Sequence, residues 1–274
     1  MKVRREVWAV ILILLLAGAA AYVHVTTTAE EYSRYNIGWN GTSGFAGEEL
    51  SDLRDLGQHP EETLLILAPG TEFTADEVGY CRAFLDAGGR IVVADEEGAA
   101  NRFLTDLGST MRVRPGNLAS LERDHIDPGL FTTRVVGNAS LFAGAETVLV
   151  NRPAAVEGGD PVLETSVLTW DDADGDGRPG ARETFGTMVV CAQEGNLTVL
   201  GDPSLFINAM LGENPRFIEN LQPALIDGVH SRTGTKNPII NMVIWLQKTP
   251  PAAAAIVGLA ILPVAYRFGR KEDE

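Results

Sequence analysis

Short apolar strands alternate with amphipathic helices through the middle of the chain, and the pattern is clearest in residues 61–108. There TLLILAP is a fully apolar run, FTADEVGYCRAFLDAGG has the cap and paired glycines of a helix, and IVVAD is a second apolar run. A strand, helix and strand of this length predict a right-handed parallel βαβ unit. The next segment, GAANRFLTDLG, predicts a helix that returns from the second strand.

Three further patterns complete the predicted domain. The upstream segment GTSGFAGEELSDLRDLG predicts a covering helix, because it places apolar residues at helical spacing: Phe45, Leu50, Leu53 and Leu56. After residue 110 short apolar runs predict strands, with a hairpin turn at Gly195-Asn196: TRVVG, ETVLVN, VLETSVLTW, TMVVCAQE and LTVLGD. ENPRFIENLQPAL predicts a closing helix. The sequence therefore predicts a three-layer α/β domain with a mixed sheet.

An apolar run near each end predicts two transmembrane helices. Residues 7–25 contain no carboxylate or amine, and Lys2, Arg4 and Arg5 precede them. A cleavable signal peptide is the alternative for this run. Residues 250–268 form the second run, which basic residues again accompany, and a buried Ala-rich helix is its alternative. Both sets of basic residues predict cytoplasmic ends.

Charge divides the chain in the same way. The formal net charge is -15, and residues 26–248 alone carry -17, while the two tails together carry +2. This balance argues against nucleic acid as a partner. We expect residues 1–25 to be a cytoplasmic tail and membrane helix, residues 26–248 an extracytoplasmic domain, and residues 249–274 a second membrane helix and tail. The predicted location is the cell membrane, with membrane lipid contacted through both helices.

The segment WDDADGDGRPGARE has the spacing of an EF-hand calcium loop. Carboxylates occupy positions one, three, five and twelve, and glycine occupies position six: Asp172, Asp174, Asp176, Glu183 and Gly177. Arg178 would contribute its carbonyl oxygen. The flanks predict strand or loop rather than paired helices, so we expect a structural Ca²⁺ loop in a β-rich scaffold. The alternative is an Asp/Gly-rich surface turn.

Polar residues follow three of the predicted strands, where parallel α/β sheets bind ligands. The segment Pro69-Gly70-Thr71 follows TLLILA. Asp95, Glu96 and Asn101 follow IVVA, and Asp202 and Ser204 follow LTVLG. We expect them to converge in a crevice that binds a ligand or partner. Capping of helices and turns is the alternative for the aspartates.

A second polar group precedes the predicted covering helix. Asn40, Thr42 and Ser43 would stand at its N-terminus, where free N–H groups can hold an anion. Asn40 also begins an Asn-Gly-Thr glycosylation sequon, and a glycan there would exclude Asn40 from a tight pocket. These two interpretations compete.

The remaining reactive residue types predict no catalytic constellation. Cys81 and Cys191 lie on a helix and a strand rather than at a strand-to-helix elbow, so core packing is favoured for both. His59, His125 and His230 are isolated and lack the spacing of metal ligands.

An ordered series of motifs resembles an uncharacterised archaeal and bacterial membrane-anchored family, domain-of-unknown-function family 4350. The motifs span most of residues 26–225: YSRYNIGWNGTSGF, ILAPGTEFTADEV, FLDAGGRIVVADEEGAANRFL, WDDADGDG and LGDPSLFINAMLGENPRFIENL. The resemblance implies kinship with class I glutamine-amidotransferase-like folds and with auxiliary proteins of gliding-type ABC transporters. It also implies a flavodoxin-like core displayed outside the cell, among protein partners of a membrane system.

Two function hypotheses follow. The first is a non-catalytic, membrane-anchored binding or scaffold domain that serves a multi-protein membrane or transport system. The second is an extracytoplasmic hydrolase that uses the carboxylates at the ends of the parallel strands. In the amidotransferase-like folds a cysteine nucleophile would follow a strand, whereas this sequence has Asp95-Glu96 and Asp202-Pro203 at the comparable positions.

Overall fold

The computed structural model describes residues 26–122 and 125–234, together with residues 12, 13, 15–18, 22, 24, 239 and 242. Ala29–Gly234 form one compact unit, to which the following description applies. No helix within the described part of the chain has the length and apolarity that a membrane crossing requires. The apolar run 250–268 lies outside the described residues, and the run 7–25 is described only at scattered positions.

Strands make up most of the regular structure. In chain order they are β1 (Glu48–Leu50), β2 (Thr63–Leu67), β3 (Arg90–Ala94), β4 (Arg112–Arg114), β5 (Leu118–Ser120), β6 (Leu130–Val135), β7 (Thr147–Asn151), β8 (Ala155–Glu157), β9 (Asp160–Glu164), β10 (Thr169–Asp171), β11 (Val189–Glu194), β12 (Leu197–Leu200) and β13 (Ala224–Asp227). Within the described residues, nine of them form one mixed sheet in the order β1-β13-β2-β3-β12-β11-β9-β6-β7. The mixed α/β class that the sequence predicts is confirmed.

The sheet has a parallel half and an antiparallel half. β1, β13, β2, β3 and β12 pair in parallel, and β11, β9, β6 and β7 continue from β12 with antiparallel pairing. β11 and β12 form the predicted hairpin, whose turn contains Gly195 at φ +57°. Two small sheets, β5 with β10 and β4 with β8, lie outside the main sheet.

Three α-helices lie among these strands: α1 (Ala75–Asp86), α2 (Asn101–Leu107) and α3 (Pro215–Leu221). Three 3-10 helices accompany them: Leu53–Gln58, Ser140–Phe142 and Pro203–Phe206. α1 begins with a capping box, in which the Thr74 side chain accepts from the Glu77 N–H and the Glu77 carboxylate accepts from the Thr74 N–H. β2, α1 and β3 form the predicted parallel βαβ unit.

Both faces of the sheet are covered, and the central strands β2, β3 and β12 are buried along almost their whole length. Residues alternate between two buried clusters: Leu64 and Ile66 of β2 pack in the cluster that contains α1 and α2, whereas Leu65 and Leu67 pack in the cluster that contains α3. Cys81 belongs to the first cluster and Cys191 to the second. Both cysteines are buried and free, as the prediction of core packing requires.

One predicted helix is absent, and the predicted closing helix is present but shorter than expected. No helix covers residues 41–57; instead β1 pairs with β13, and the 3-10 helix Leu53–Gln58 follows. The closing helix ends at Leu221, and Ala224–Asp227 form strand β13, which the sequence analysis missed. The errors are linked, because β13 supplies the partner that holds Glu48–Leu50 extended. Tertiary pairing therefore overrides the local helical spacing of the apolar residues.

Candidate functional site

The carboxyl ends of the parallel strands lie side by side, and the polar residues predicted there do converge. Asp95 and Glu96 follow β3, and Asp202 follows β12, the parallel neighbour of β3. Asp202 is close enough to Glu96 to raise the pKa of Glu96 electrostatically. Tyr32, which the sequence analysis did not consider, lies over these residues and donates a hydrogen bond to Glu96. We call Tyr32, Asp95, Glu96 and Asp202 the sheet-edge cluster.

Asp95 is bonded to the backbone on both carboxylate oxygens. Oδ1 accepts from the Glu97 N–H at 2.9 Å, and Oδ2 accepts from the Ala100 N–H at 2.8 Å. The side chain is buried, and burial raises the pKa of Asp95 against these two hydrogen bonds, which lower it. Asp95 thus holds the turn that leads from β3 into α2.

Asp202 has a similar arrangement after β12. Oδ2 accepts from the Asn151 N–H of edge strand β7 at 2.7 Å, and Oδ1 accepts from the Ser204 N–H at 2.9 Å and from the Ser204 hydroxyl. Burial raises the pKa of Asp202 to about 6, although these hydrogen bonds lower it. Ser204 is itself buried, and its Oγ lies 3.2 Å from the Asn151 carbonyl oxygen. Both residues connect the 3-10 helix Pro203–Phe206 to β7.

Glu96 differs from the two aspartates because its carboxylate accepts from a side chain distant in sequence, whereas each aspartate accepts from two backbone N–H groups. Oε1 accepts from the Tyr32 hydroxyl at 2.9 Å. Burial is the largest cause that raises the pKa of Glu96 to about 7, and Asp202 and Glu31 raise it further, whereas the hydrogen bond from Tyr32 lowers it. A carboxyl group with this pKa changes charge near neutral pH. Of the carboxyl groups in the sheet-edge cluster, Glu96 therefore has a pKa closer to neutral than that of Asp202, which is about 6.

Backbone strain accompanies this cluster. Tyr32 has φ +58° and Ala68, at the end of β2, has φ +43°, conformations that cost non-glycine residues of order 1–3 kcal/mol each. Both are buried, and they pack together with Ile207 and Met210. Tyr32 therefore has a left-handed backbone conformation in the structure in which its hydroxyl donates to Glu96.

The predicted residues Asn40, Thr42 and Ser43 belong to a tightly bonded loop rather than to a helix N-terminus, so the predicted anion site at a helix end is wrong. The Asn40 carbonyl accepts from the Tyr32 N–H at 3.0 Å, and Thr42 donates its hydroxyl to the Tyr32 carbonyl at 2.9 Å. Ser43 is exposed and accepts from the Asn208 side chain at 3.1 Å. These contacts place the loop beside Tyr32, at the same edge of the sheet.

Asn101 faces away from the cluster toward strand β4. Its amide donates to the Val113 carbonyl and accepts from the Val113 N–H, both at 2.8 Å. Asn101 therefore pairs with β4 as a neighbouring strand would.

Sequence reasoning missed a buried ionic group that follows β13. His230 Nδ1 lies 2.8 Å from Asp227 Oδ2, and Nε2 lies 3.4 Å from Glu77 Oε2. The imidazole stacks on Phe73 with ring centroids 3.6 Å apart. Burial lowers the pKa of His230, but the hydrogen bond and charge of Asp227 raise it overall. The signal available in the sequence was the Asp-Gly-Val-His spacing after a short apolar run that Pro223 separates from α3.

The acidic loop, Asp172–Glu183, gathers the three aspartates that the EF-hand spacing predicts. One carboxylate oxygen each from Asp172, Asp174 and Asp176 lies within 4.8 Å of the others. Oxygen ligands about 2.4 Å from one calcium ion can lie up to about 4.8 Å apart, so the set fits Ca²⁺. Gly177 takes φ +69° at the turn, and its N–H donates to Asp172 Oδ2 at 3.1 Å.

Glu183 is not in this group of oxygens. Its carboxylate accepts from the Ala173 N–H at 2.9 Å and from the Gly180 N–H at 2.6 Å, so it ties the start of the loop to its end. Arg178 donates its N–H to Asp176 Oδ1 at 2.7 Å and is exposed. The three aspartates are therefore the residues that could hold a cation in this arrangement. Binding by Glu183 would require it to exchange these backbone partners for the ion.

The base of the acidic loop is fixed to the domain. Trp170 and Phe185 face each other across the base with their ring centroids 5.6 Å apart, and the Gly186 N–H donates to the Thr169 carbonyl at 2.9 Å. Trp170 is fully buried. A change in the loop would therefore act on an aromatic side chain that reports its surroundings by fluorescence.

Comparisons with known proteins now bear on identity. The sequence matches the family described as domain of unknown function (DUF4350) over residues 34–221, more than half of the chain. This chain belongs to that family. The matched range of the DUF4350 domain includes every member of the sheet-edge cluster except Tyr32, and it includes the whole acidic loop.

Similarity to solved structures is weak. The N-terminal domain of mmIFT52 is 20% identical with a TM-score of 0.46, and the match covers 64% of this chain and 82% of that one. Alpha-L-fucosidase isoenzyme 2 from Paenibacillus thiaminolyticus is 13% identical with a TM-score of 0.28, covering 58% of this chain and 24% of that one. No curated protein matches the sequence.

Proposed function

We propose that this chain is a non-catalytic binding or scaffold protein, anchored in the cell membrane by its two apolar runs, with the DUF4350 domain outside. It serves a multi-protein membrane or transport system. The proposal includes a flavodoxin-like core, with the kinship to amidotransferase-like folds and transporter auxiliary proteins that the resemblance implies. The observation that carries the non-catalytic part is that the protein's own groups donate hydrogen bonds to all three carboxylates of the sheet-edge cluster.

Catalytic carboxylates must reach a substrate, and the two aspartates of the cluster are buried and bonded to the protein's own groups. Asp95 accepts two backbone N–H groups, and Asp202 accepts two together with a hydroxyl. Tyr32 covers Glu96 and is itself buried. Such bonding is typical of residues that define loop conformation, and rigid loops at a sheet edge are suited to present a surface to a partner.

The two ends of the domain lie next to each other, as attachment to one membrane surface requires. The Arg34 N–H donates to the Thr233 carbonyl at 2.8 Å, so the incoming and outgoing chains are neighbours at the sheet edge. Two membrane helices attached to the same domain require its ends to approach the same membrane surface. The adjacent ends satisfy that requirement without any rearrangement of the domain.

Calcium enters the proposal as a structural ion. Three carboxylates held close together repel one another, and a divalent cation removes that repulsion. Asp172, Asp174 and Asp176 would hold the ion by their side chains. The extracytoplasmic location that we propose is where calcium is abundant enough to fill a weak site.

The hydrolase hypothesis retains one supporting observation. Glu96 and Asp202 are neighbouring carboxyl groups whose pKa values burial raises to about 7 and about 6. Paired carboxyl groups with raised pKa values are also a property of acid–base active sites. The two hypotheses differ in what Glu96 does, so a variant at that position separates them.

The test is purification of the tagged full-length chain from its native membranes after reversible cross-linking, in parallel with Glu96→Gln. A scaffold protein is expected to retain the same partners in both preparations, in near-stoichiometric amounts. Recovery of the wild-type chain alone would contradict the proposal. A protein or glycan recovered only with Glu96→Gln would be a trapped substrate and would favour the hydrolase.

A further inference from the structure

We propose that Ile37 and Trp39 rest on the surface of the lipid bilayer and fix the orientation of the DUF4350 domain on the membrane. This inference rests on the proposed membrane anchoring. It adds a lipid contact by the domain itself, beside any contact made by the apolar runs.

The two side chains form an exposed apolar pair on the loop of residues 36–44. Ile37 and Trp39 are each 68% exposed. Most large apolar residues of a small domain find partners in its core, and neighbouring exposed ones indicate a surface used for contact. Tryptophan in particular is enriched at membrane–water interfaces, because its ring is apolar and its N–H can bond to headgroups or water.

The loop that carries them is held rigidly. The Asn208 side chain donates to the Gly38 carbonyl at 2.6 Å, and the Ala209 N–H donates to the Trp39 carbonyl at 3.0 Å. Gly41 closes the turn, since a Cβ there would lie 1.9 Å from the Asn36 carbonyl oxygen. A loop bonded in this way cannot turn its apolar side chains back into the domain. Their exposure is therefore a built feature.

Chain connectivity places this loop near the predicted membrane anchor. The first apolar run ends at Val25, and Glu30 follows five residues later. At about 3.4 Å per residue, Glu30 lies at most about 17 Å along the chain from Val25. The Asn36 side chain donates to the Glu30 carbonyl at 3.0 Å, which attaches the loop directly to that short connection.

The outgoing chain leaves from the same place. Thr233 is hydrogen-bonded to Arg34, and Asn40 is hydrogen-bonded to Tyr32. One cluster of hydrogen bonds therefore contains both ends of the domain and the loop. If both apolar runs span a bilayer, both connections of the domain to the membrane leave from the hydrogen-bonded cluster that includes this loop.

The net charge of the domain favours contact with lipid by insertion of apolar side chains over contact by attraction between charges. Residues 26–248 carry a formal charge of -17, so an anionic headgroup surface repels the domain overall. We therefore expect contact with a zwitterionic surface and little dependence on salt. The same charge disfavours a second copy of the chain as the occupant.

The experiment labels the full-length chain with a nitroxide at Ile37→Cys and reconstitutes it in phosphatidylcholine vesicles. Native Cys81 and Cys191 are buried, and burial raises the pKa of both thiols, so the reagent is directed to the introduced cysteine. Glu61→Cys is the matched control, because Glu61 is exposed and precedes β2 at the opposite edge of the sheet. Collision of each label with oxygen and with a water-soluble nickel complex is measured by electron paramagnetic resonance.

At Ile37 we expect at least a twofold fall in nickel collision and a rise in oxygen collision on reconstitution, unchanged by 0.5 M salt, while the Glu61 label stays aqueous. An aqueous Ile37 label on chain that floats with the vesicles overturns the lipid contact and leaves the anchoring proposal standing. Failure to float overturns both proposals. Protection of Ile37 that disappears at tenfold lower protein density overturns the lipid contact in favour of a second copy.

Discussion

Replacing Glu96 by glutamine should remove the part of the pH dependence of stability that this partly buried carboxyl group creates. Glutamine keeps the shape and can still accept the hydrogen bond that Tyr32 donates. The pKa of Glu96 is about 7 in the folded protein, mainly because of burial, whereas the ordinary value is 4.5. Between these two values the folded protein holds a proton that the unfolded chain has released.

The sign and size follow from linkage. Because the folded state binds more protons in this interval, the free energy of unfolding falls as pH rises from about 4.5 to about 7. At about 1.4 kcal/mol per pH unit, the fall that Glu96 causes is at most about 3 kcal/mol, and partial contact with solvent reduces it. Below pH 4.5 this destabilisation is absent. Wild type and Glu96→Gln should therefore differ little at pH 4.5, and the variant should be more stable at pH 7.5.

The assay is urea unfolding of the full-length chain in detergent, followed by tryptophan fluorescence at pH 4.5, 5.5, 6.5 and 7.5. Asp202 also titrates in this interval, so the quantity of interest is the difference between wild type and variant. Glu97→Gln is the matched control, because the hydrogen bond from Arg232 holds the pKa of Glu97 below its ordinary value. If the free energy of unfolding changes with pH in the same way for wild type and Glu96→Gln across this interval, Glu96 does not hold a proton in the folded protein, and the reasoning is refuted.

Two further predictions concern the calcium loop and the capping aspartates. Millimolar Ca²⁺ should raise the melting temperature of the protein. At 100 times the dissociation constant, calcium binding adds about 2.7 kcal/mol to the free energy of unfolding. Asp174→Ala should abolish this shift, and Glu183→Ala should do so if Glu183 binds the ion, whereas the control Asp160→Ala should leave the shift unchanged. If calorimetry detects no calcium binding to the wild-type protein, the acidic loop is only a surface turn. Asp95→Ala and Asp202→Ala should each cost about 1–3 kcal/mol in urea unfolding, because buried N–H groups lose their acceptors. Losses below 0.5 kcal/mol would contradict the capping role.

Local pattern was sufficient for the central elements of the fold. β2, α1, β3 and the β11–β12 hairpin form where apolar runs, a capping box and a Gly-Asn turn predict them. Strong local signals of this kind agree with the packing that the whole domain requires. Pairing between distant segments was not predictable in the same way: Glu48–Leu50 are a strand because β13 lies beside them.

The candidate site was predicted in its location but not in its bonding. That Asp95, Glu96 and Asp202 meet at one sheet edge follows from parallel pairing of β3 and β12. That the two aspartates bind backbone N–H groups depends on loop conformations that no spacing encodes. Tyr32 could not be identified because it is 64 residues from Glu96 in the sequence, and its contact with Glu96 occurs with a positive φ angle that the sequence does not indicate. The three aspartates of the acidic loop converge because their spacing is local.

The most direct test of the account asks on which side of the membrane the domain lies. Intact cells that express full-length Glu61→Cys are treated with a membrane-impermeant maleimide, with Lys271→Cys as the control in the C-terminal tail. Cys81 and Cys191 are buried and should not react in the folded protein. We predict labelling at Glu61 without lysis, and labelling at Lys271 only after lysis. Labelling at Glu61 only after lysis would contradict an extracytoplasmic domain and, with it, the proposed function.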